Sequence, residues 1–148
     1  MTAPRDAGWP RFSTILGIDP GDRRVGLAIS DPERRVAVGL PTFDRQSGRK
    51  LLDHLRELLQ AYAVHRIVVG EPRTMRGEIG AAARKSATLA RHLRRELGMD
   101  VDLWDERLTS VAGDRVLRGS RAAKGARDQI AATLLLQSYL DRLHAEDS

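Results

Sequence analysis

Cysteine is absent from the 148 residues, which excludes disulfides, thiolate nucleophiles and cysteine-ligated zinc. Histidine is sparse, and His54, His65, His92 and His144 form no ligand spacing of the HxxxH kind. Aromatic side chains are few, two each of Phe, Tyr and Trp, and no RNP-like stacking platform for unpaired bases can be assembled from them. No apolar run approaches the length of a membrane span, and the opening MTAPRDAGWPRFS lacks the apolar centre of a signal peptide. A cytoplasmic protein with no membrane partner is the expectation. The length suits one domain with its own core. The expected organisation is a flexible N-terminus at 1–12, a single domain over 13–144 and a tail at 145–148.

What the chain does have is positive charge. The net charge is +5, and all but three of the 25 basic residues are arginine. Such a balance points to an anionic partner, nucleic acid before others. A base composition that favours arginine codons is the plain alternative, because composition does not say where the charges sit.

Along the chain, residues 14–19, 25–30 and 35–40 are short β-prone runs separated by turn residues, and they read as an antiparallel meander. In segment 46–64 the period changes: Leu51, Leu52, Leu55, Leu58, Leu59 and Tyr62 form one helical stripe. RIVVGEP suits a strand covered on both faces. Residues 80–97 return to helix, VDLWDERLT reads as a strand ending in acids, 110–117 as a short helix, 118–127 as a mobile loop and 128–143 as a closing amphipathic helix. This order predicts an α/β protein with a ribonuclease H-like fold: a mixed five-stranded sheet with helices on both faces.

Five acids fall where strands or helices meet. Asp19 ends the first strand, with Gly17, Gly21 and Gly26 leaving room around it. Glu71 ends the RIVVGE run, and Asp105 and Glu106 end the last strand, where alternation puts Glu106 with Asp102 and Trp104 and puts Asp105 on the other face. Asp128 shares a helix face with Ala131, Ala132, Leu135 and Tyr139, so it turns toward the sheet. A carboxylate there is costly unless it is paired or bound to a metal. Two of the acids also have a plainer reading: a turn-initiating aspartate at Asp19, a macrodipole partner or an ion pair with Arg107 or Arg127 at Asp128. Together, Asp19, Glu106 and Asp128, with Glu71 as a fourth candidate, would repel one another and call for hard divalent cations, Mg2+ or Mn2+. A pair of such ions about 4 Å apart suits phosphodiester hydrolysis.

GIDPGDRRVGLAISD, VVGEPRTMRGEIG, DERLTS and DQIAATLLLQSYL, in this order and spacing, resemble the YqgF/RuvX family, pre-16S rRNA nucleases related to the RuvC Holliday junction resolvases. The resemblance spans nearly the whole chain from Ile15 to Leu140. It implies a metal-dependent nuclease that processes the 5′ end of pre-16S rRNA in ribosome biogenesis, with the pre-ribosomal particle as a partner. The family's first-strand aspartate falls on Asp19, the glutamate of its DER motif on Glu106 and its last-helix aspartate on Asp128, while Arg24 and Arg107 match accompanying basic positions. The chain departs from the family at Pro20, at Glu71 where the family has leucine, and at Thr74-Met75-Arg76-Gly77 in place of Asn-Met-Asp-Gly. Glu71 coincides with the strand-end glutamate that RuvC-type resolvases use, which implies a fourth ligand or activity on branched DNA. The plainer role for it is pairing with Arg73 or Arg76.

Two rival activities follow from the same residues. Holliday junction resolution or other structure-selective DNA cleavage uses the same chemistry, and related resolvases act as dimers, so a homodimer enters with it. A non-catalytic RNA-binding assembly factor is the alternative of another class, but carboxylates facing a polyanion give it no advantage. An actin-like ATPase or sugar kinase needs a second domain that this length does not hold. The expected nucleic-acid contacts are Arg23, Arg24, Arg73, Arg76, Arg107, Arg121, Lys124 and Arg127, with the 118–127 segment ordering on binding.

Overall fold

The computed structural model describes residues 13–72, 80–106 and 124–145. Three runs of β-prone residues form the antiparallel meander β1 (Thr14–Asp19), β2 (Arg24–Ser30) and β3 (Ala37–Asp44). Helix α1 (Leu51–Ala61) leads to β4 (Val64–Glu71), which pairs parallel with β1, and helix α2 (Ala81–Leu97) leads to β5 (Asp100–Asp105), parallel with β4. Helix α3 (Lys124–Ala145) follows every strand in the sequence. The sheet order is β3-β2-β1-β4-β5, as expected of the ribonuclease H-like arrangement.

Period-2 alternation divides the central strands between two cores. Leu16, Ile18, Ile67, Val69 and Val101 pack with Leu55 of α1 and with Ala90 and Leu93 of α2. On the opposite face, Ile15, Ala28, Val68 and Trp104 meet Ala132, Leu135, Leu136, Tyr139 and Leu140 of α3. Each fully buried Leu or Ile contributes roughly 1.5–3 kcal/mol relative to exposure. Helix α3 is tied to the first half of β3 as well. Gln129 Nε2 donates to the Leu40 carbonyl at 2.9 Å, and the Ala37 N–H donates to Gln137 Oε1 at 2.9 Å. Among the described residues no helix is long and apolar enough to cross a membrane.

Three boundaries differ from the sequence expectation. Strand β3 runs through Pro41 to Asp44 instead of stopping at Leu40, because it is an edge strand, where a missing N–H costs no ladder bond. Helix α1 starts at Leu51 instead of residue 46, since Asp44 first closes a turn in which its Oδ1 accepts from the Gln46 N–H at 2.8 Å and its carbonyl from the Ser47 N–H at 3.0 Å. At the other end of the chain α3 begins at Lys124, so residues 124–127 are helix and not loop, and Asp128 sits in its second turn. Packing on the sheet outweighs the weak helix propensity of that glycine-containing turn. The expected short helix at 110–117, most of the 118–127 loop, the flexible 1–12 and the end of VDLWDERLT lie outside the described residues.

Candidate active site

Asp19 and Glu106 belong to strand ends with another strand between them. Asp19 closes β1, Glu106 directly follows β5, and β4 lies between the two. Strands two apart in a sheet are about 9.5 Å apart, so the pair needs an open lane across β4. Gly70 provides it. A Cβ on Gly70 would stand 2.6 Å from Glu106 Oε1 and 3.0 Å from Leu135 Cδ2, so Glu106 lies over β4 in the space the missing side chain leaves. There its carboxyl group shares a hydrogen bond with Asp19.

That contact requires a proton. Burial, the hydrogen bond to Glu106, and the charges of Glu106 and Asp128 together push the Asp19 carboxyl up to about 8. Asp128 comes from α3, whose close approach depends on Gly26: a Cβ there would collide with the backbone carbonyl of Asp128. Burial raises the Asp128 carboxyl above the ordinary aspartate range, while the positive charge of Arg24, the first residue of β2, pulls against it. All three acids are thus on the α3 face of the sheet, at the ends of β1 and β5 and in the second turn of α3.

Glu71 is not with them. It is 6% exposed and follows Val69 and Ile67 in alternation, which puts it on the α1–α2 face with Asp105 opposite it in register. Of the basic candidates, Arg24 acts on Asp128, Arg23 Nε lies 3.9 Å from Asp44 Oδ1 on the exposed side, and Arg127 is exposed on α3 just before Asp128. Lys124 opens α3. Arg73, Arg76, Arg107 and Arg121 lie outside the described residues.

Chemically, the three acids offer oxygen donors only, a set that suits a hard divalent cation. Among the described residues no three such side chains enclose an ion position as they stand. Admitting one takes the opening of the Asp19–Glu106 contact and the loss of its proton. The crowding that raises Asp19 is what a bound cation would relieve, and on that ground the residues fit the group. Sequence reasoning found Gly17 and Gly26 but missed Gly70, because a glycine inside a strand signals a close approach without saying which side chain approaches.

The family model RuvX, described as Holliday junction resolvase, matches residues 13–142. A protein of Moorella thermoacetica named "Putative pre-16S rRNA nuclease" is 44% identical over 133 residues, 87% of this chain and 95% of its own length. One of the same name from Chloroflexus aggregans is 43% identical over 132 residues, 86% of this chain and 93% of its own. Two solved structures share the fold. The Thermus thermophilus RuvC in complex with a Holliday junction substrate superposes with a TM-score of 0.54 at 16% identity, covering 88% of this chain and 96% of that one. The yeast mitochondrial Holliday junction resolvase Ydc2 gives 0.58 at 14% identity, covering 95% and 82%.

Proposed function

The chain belongs to the RuvX family, and from that premise we propose that it is a divalent-metal-dependent nuclease that processes the 5′ end of pre-16S rRNA. The observation that carries this reading is the Asp19–Glu106 contact across Gly70, with Asp128 brought to the same face by α3. Three carboxylates gathered at the edge of a basic protein weaken polyanion binding unless they serve chemistry. Asp19, Glu106 and Asp128 would hold Mg2+ or Mn2+, which when bound supplies the positive charge that a phosphodiester needs as charge builds on its oxygens. Arg24 stands beside Asp128, where it orients that carboxylate and meets a phosphate. The high affinity of Asp19 for a proton makes it the acid whose ionisation gates the site. The pre-ribosomal particle is the setting in which such a substrate occurs.

Holliday junction cleavage is the second reading, favoured by the description of the matching family. One experiment separates the two. Wild type and Asp19→Asn are incubated with end-labelled single-stranded RNA spanning a precursor 5′ end and with a four-way DNA junction, in Mn2+, Mg2+ or EDTA. The expected result is metal-dependent cleavage of RNA by the wild type, and binding without cleavage, at least 100-fold slower as for loss of a group that acts on the reacting centre, by Asp19→Asn. Cleavage of the junction alone would move the protein to the second reading. Binding by both with no cleavage under any metal would leave an assembly factor.

A further inference from the structure

Asp19 and Glu106 are placed by the ends of strands, whereas Asp128 rides on a helix laid across the sheet. Apolar packing decides how closely α3 lies but is non-directional, so it tolerates small slides along the helix axis. The bed beneath α3 is also smooth, because Gly17, Gly26 and Gly39 raise no side chains against it. A directional contact is therefore needed to fix where along the sheet the helix stops.

Two glutamines of α3 supply it. Gln137 behaves like one more strand beside the edge of the sheet: its Oε1 accepts from the Ala37 N–H and its Nε2 donates to the Arg35 carbonyl, each at 2.9 Å. Nearer the acids, Gln129 Nε2 donates to the Leu40 carbonyl at 2.9 Å. The eight residues of helix between them rise about 12 Å, and the extended chain from Val36, between the two anchors of Gln137, to Leu40 spans about 13 Å. The spacings agree, so both glutamines bond at one axial setting of α3. A slide of one residue, about 1.5 Å, pulls on all three bonds and leaves edge-strand groups unpaired. Gly39 makes room for the nearer tie: a Cβ there would stand 2.5 Å from Gln129 Cγ and 2.9 Å from its Cδ. Gly39 thus does for Gln129 what Gly70 does for Glu106.

We infer that Gln129 is a positioning residue for the metal site: its bond to Leu40 fixes the axial setting of α3 and, with it, the place of the adjacent Asp128 against the Asp19–Glu106 pair. This rests on the nuclease reading and deepens it. Gln129 acts through Asp128 and is assigned no contact with substrate. Gln137, about two and a half turns from Asp128, anchors the far half of the helix.

The test is Mn2+ binding to the full chain without substrate, followed by loss of the free-ion electron paramagnetic resonance signal. Gln129→Met keeps the length of the side chain and removes the donor, while Gly39→Ala displaces the same side chain from the strand below. Each is expected to weaken Mn2+ binding about tenfold, as for loss of a group that orients a metal ligand. Gln137→Met removes the far anchor, so it is expected to lower the denaturant midpoint at least as far while keeping Mn2+ affinity within about twofold of wild type. In an Asp128→Asn background, Gln129→Met is expected to cost nothing more, because the residue through which it acts is gone. Unchanged Mn2+ affinity in folded Gln129→Met overturns the positioning role and leaves the nuclease reading standing, as does a further tenfold loss in the Asp128→Asn background. If Gln129→Met does not fold, Gly39→Ala decides by the same comparison. A wild type that neither binds Mn2+ nor cleaves RNA removes the nuclease reading itself, and the positioning role with it.

Discussion

A single carboxyl group, Asp19, couples the chemistry to the stability of the chain. Its folded value of about 8, against 3.8 for an ordinary aspartate, means that the folded metal-free protein keeps a proton that the unfolded chain gives up. The sign follows directly. This contribution is fully present below about 3.8 and is lost as the pH rises through the window to about 8. Thermal unfolding in EDTA should therefore show Asp19→Asn gaining on the wild type by several degrees between acid and mildly alkaline pH, and added Mn2+ should restore the wild type at the alkaline end. A difference between the two proteins that stays constant with pH would remove the shared proton from the account. Asp19, Glu106 and Asp128 were legible as candidates because they interrupt apolar patterns. Alternation in VDLWDE put Asp105 and Glu106 on opposite faces, as the two cores confirm, but with both faces covered it did not choose between them, and the resemblance in DERLTS did. The place of Glu71 on the opposite face was open to the same arithmetic, from Ile67 and Val69, but a match to resolvases drew it toward the other acids.

At the scale of the element, α3 is a positioning device as much as a core helix. Its contact with the sheet is paved with glycines: a Cβ on Gly17 would come within 2.9 Å of Leu136 Cβ, and one on Gly26 would meet the Asp128 backbone itself. Gly26→Ala therefore lifts the second turn of α3. The expected outcome is a loss of roughly 1–3 kcal/mol by denaturant unfolding, as for overpacking of a tight interface, together with a drop in metal-dependent cleavage under conditions where the variant is still folded. Full activity in a destabilised Gly26→Ala protein would show that Asp128 need not sit where α3 now holds it. The strands, α1, α2 and the two-faced core were readable from periodicity. The start of α3 was not, since a glycine and basic residues describe a loop and a lightly packed first turn equally well, and only docking on β2 and β3 decides between them.

For the molecule as a whole, charge would set how it meets the proposed RNA. With a net charge of +5, binding should be strongly salt-dependent. The logarithm of affinity for single-stranded RNA is expected to fall with the logarithm of salt at a slope of about −2 or steeper, about −0.7 for each phosphate contacted. A slope near zero would mean that the arginines are solvated surface and not an interface. A cleft lined by Pro20, Arg45, Pro72 and Lys85 was invisible in the sequence because it is assembled from four segments with no motif in common. One further consequence comes from α3 following every strand. The ribosome delivers the sheet first and the helix bearing Asp128 afterwards, so a chain still being translated exposes Ile15, Ala28, Val68 and Trp104 on a bare face and carries two acids of three. On the proposed nuclease reading, synthesis itself would act as a safety catch, arming the site only as the final helix docks.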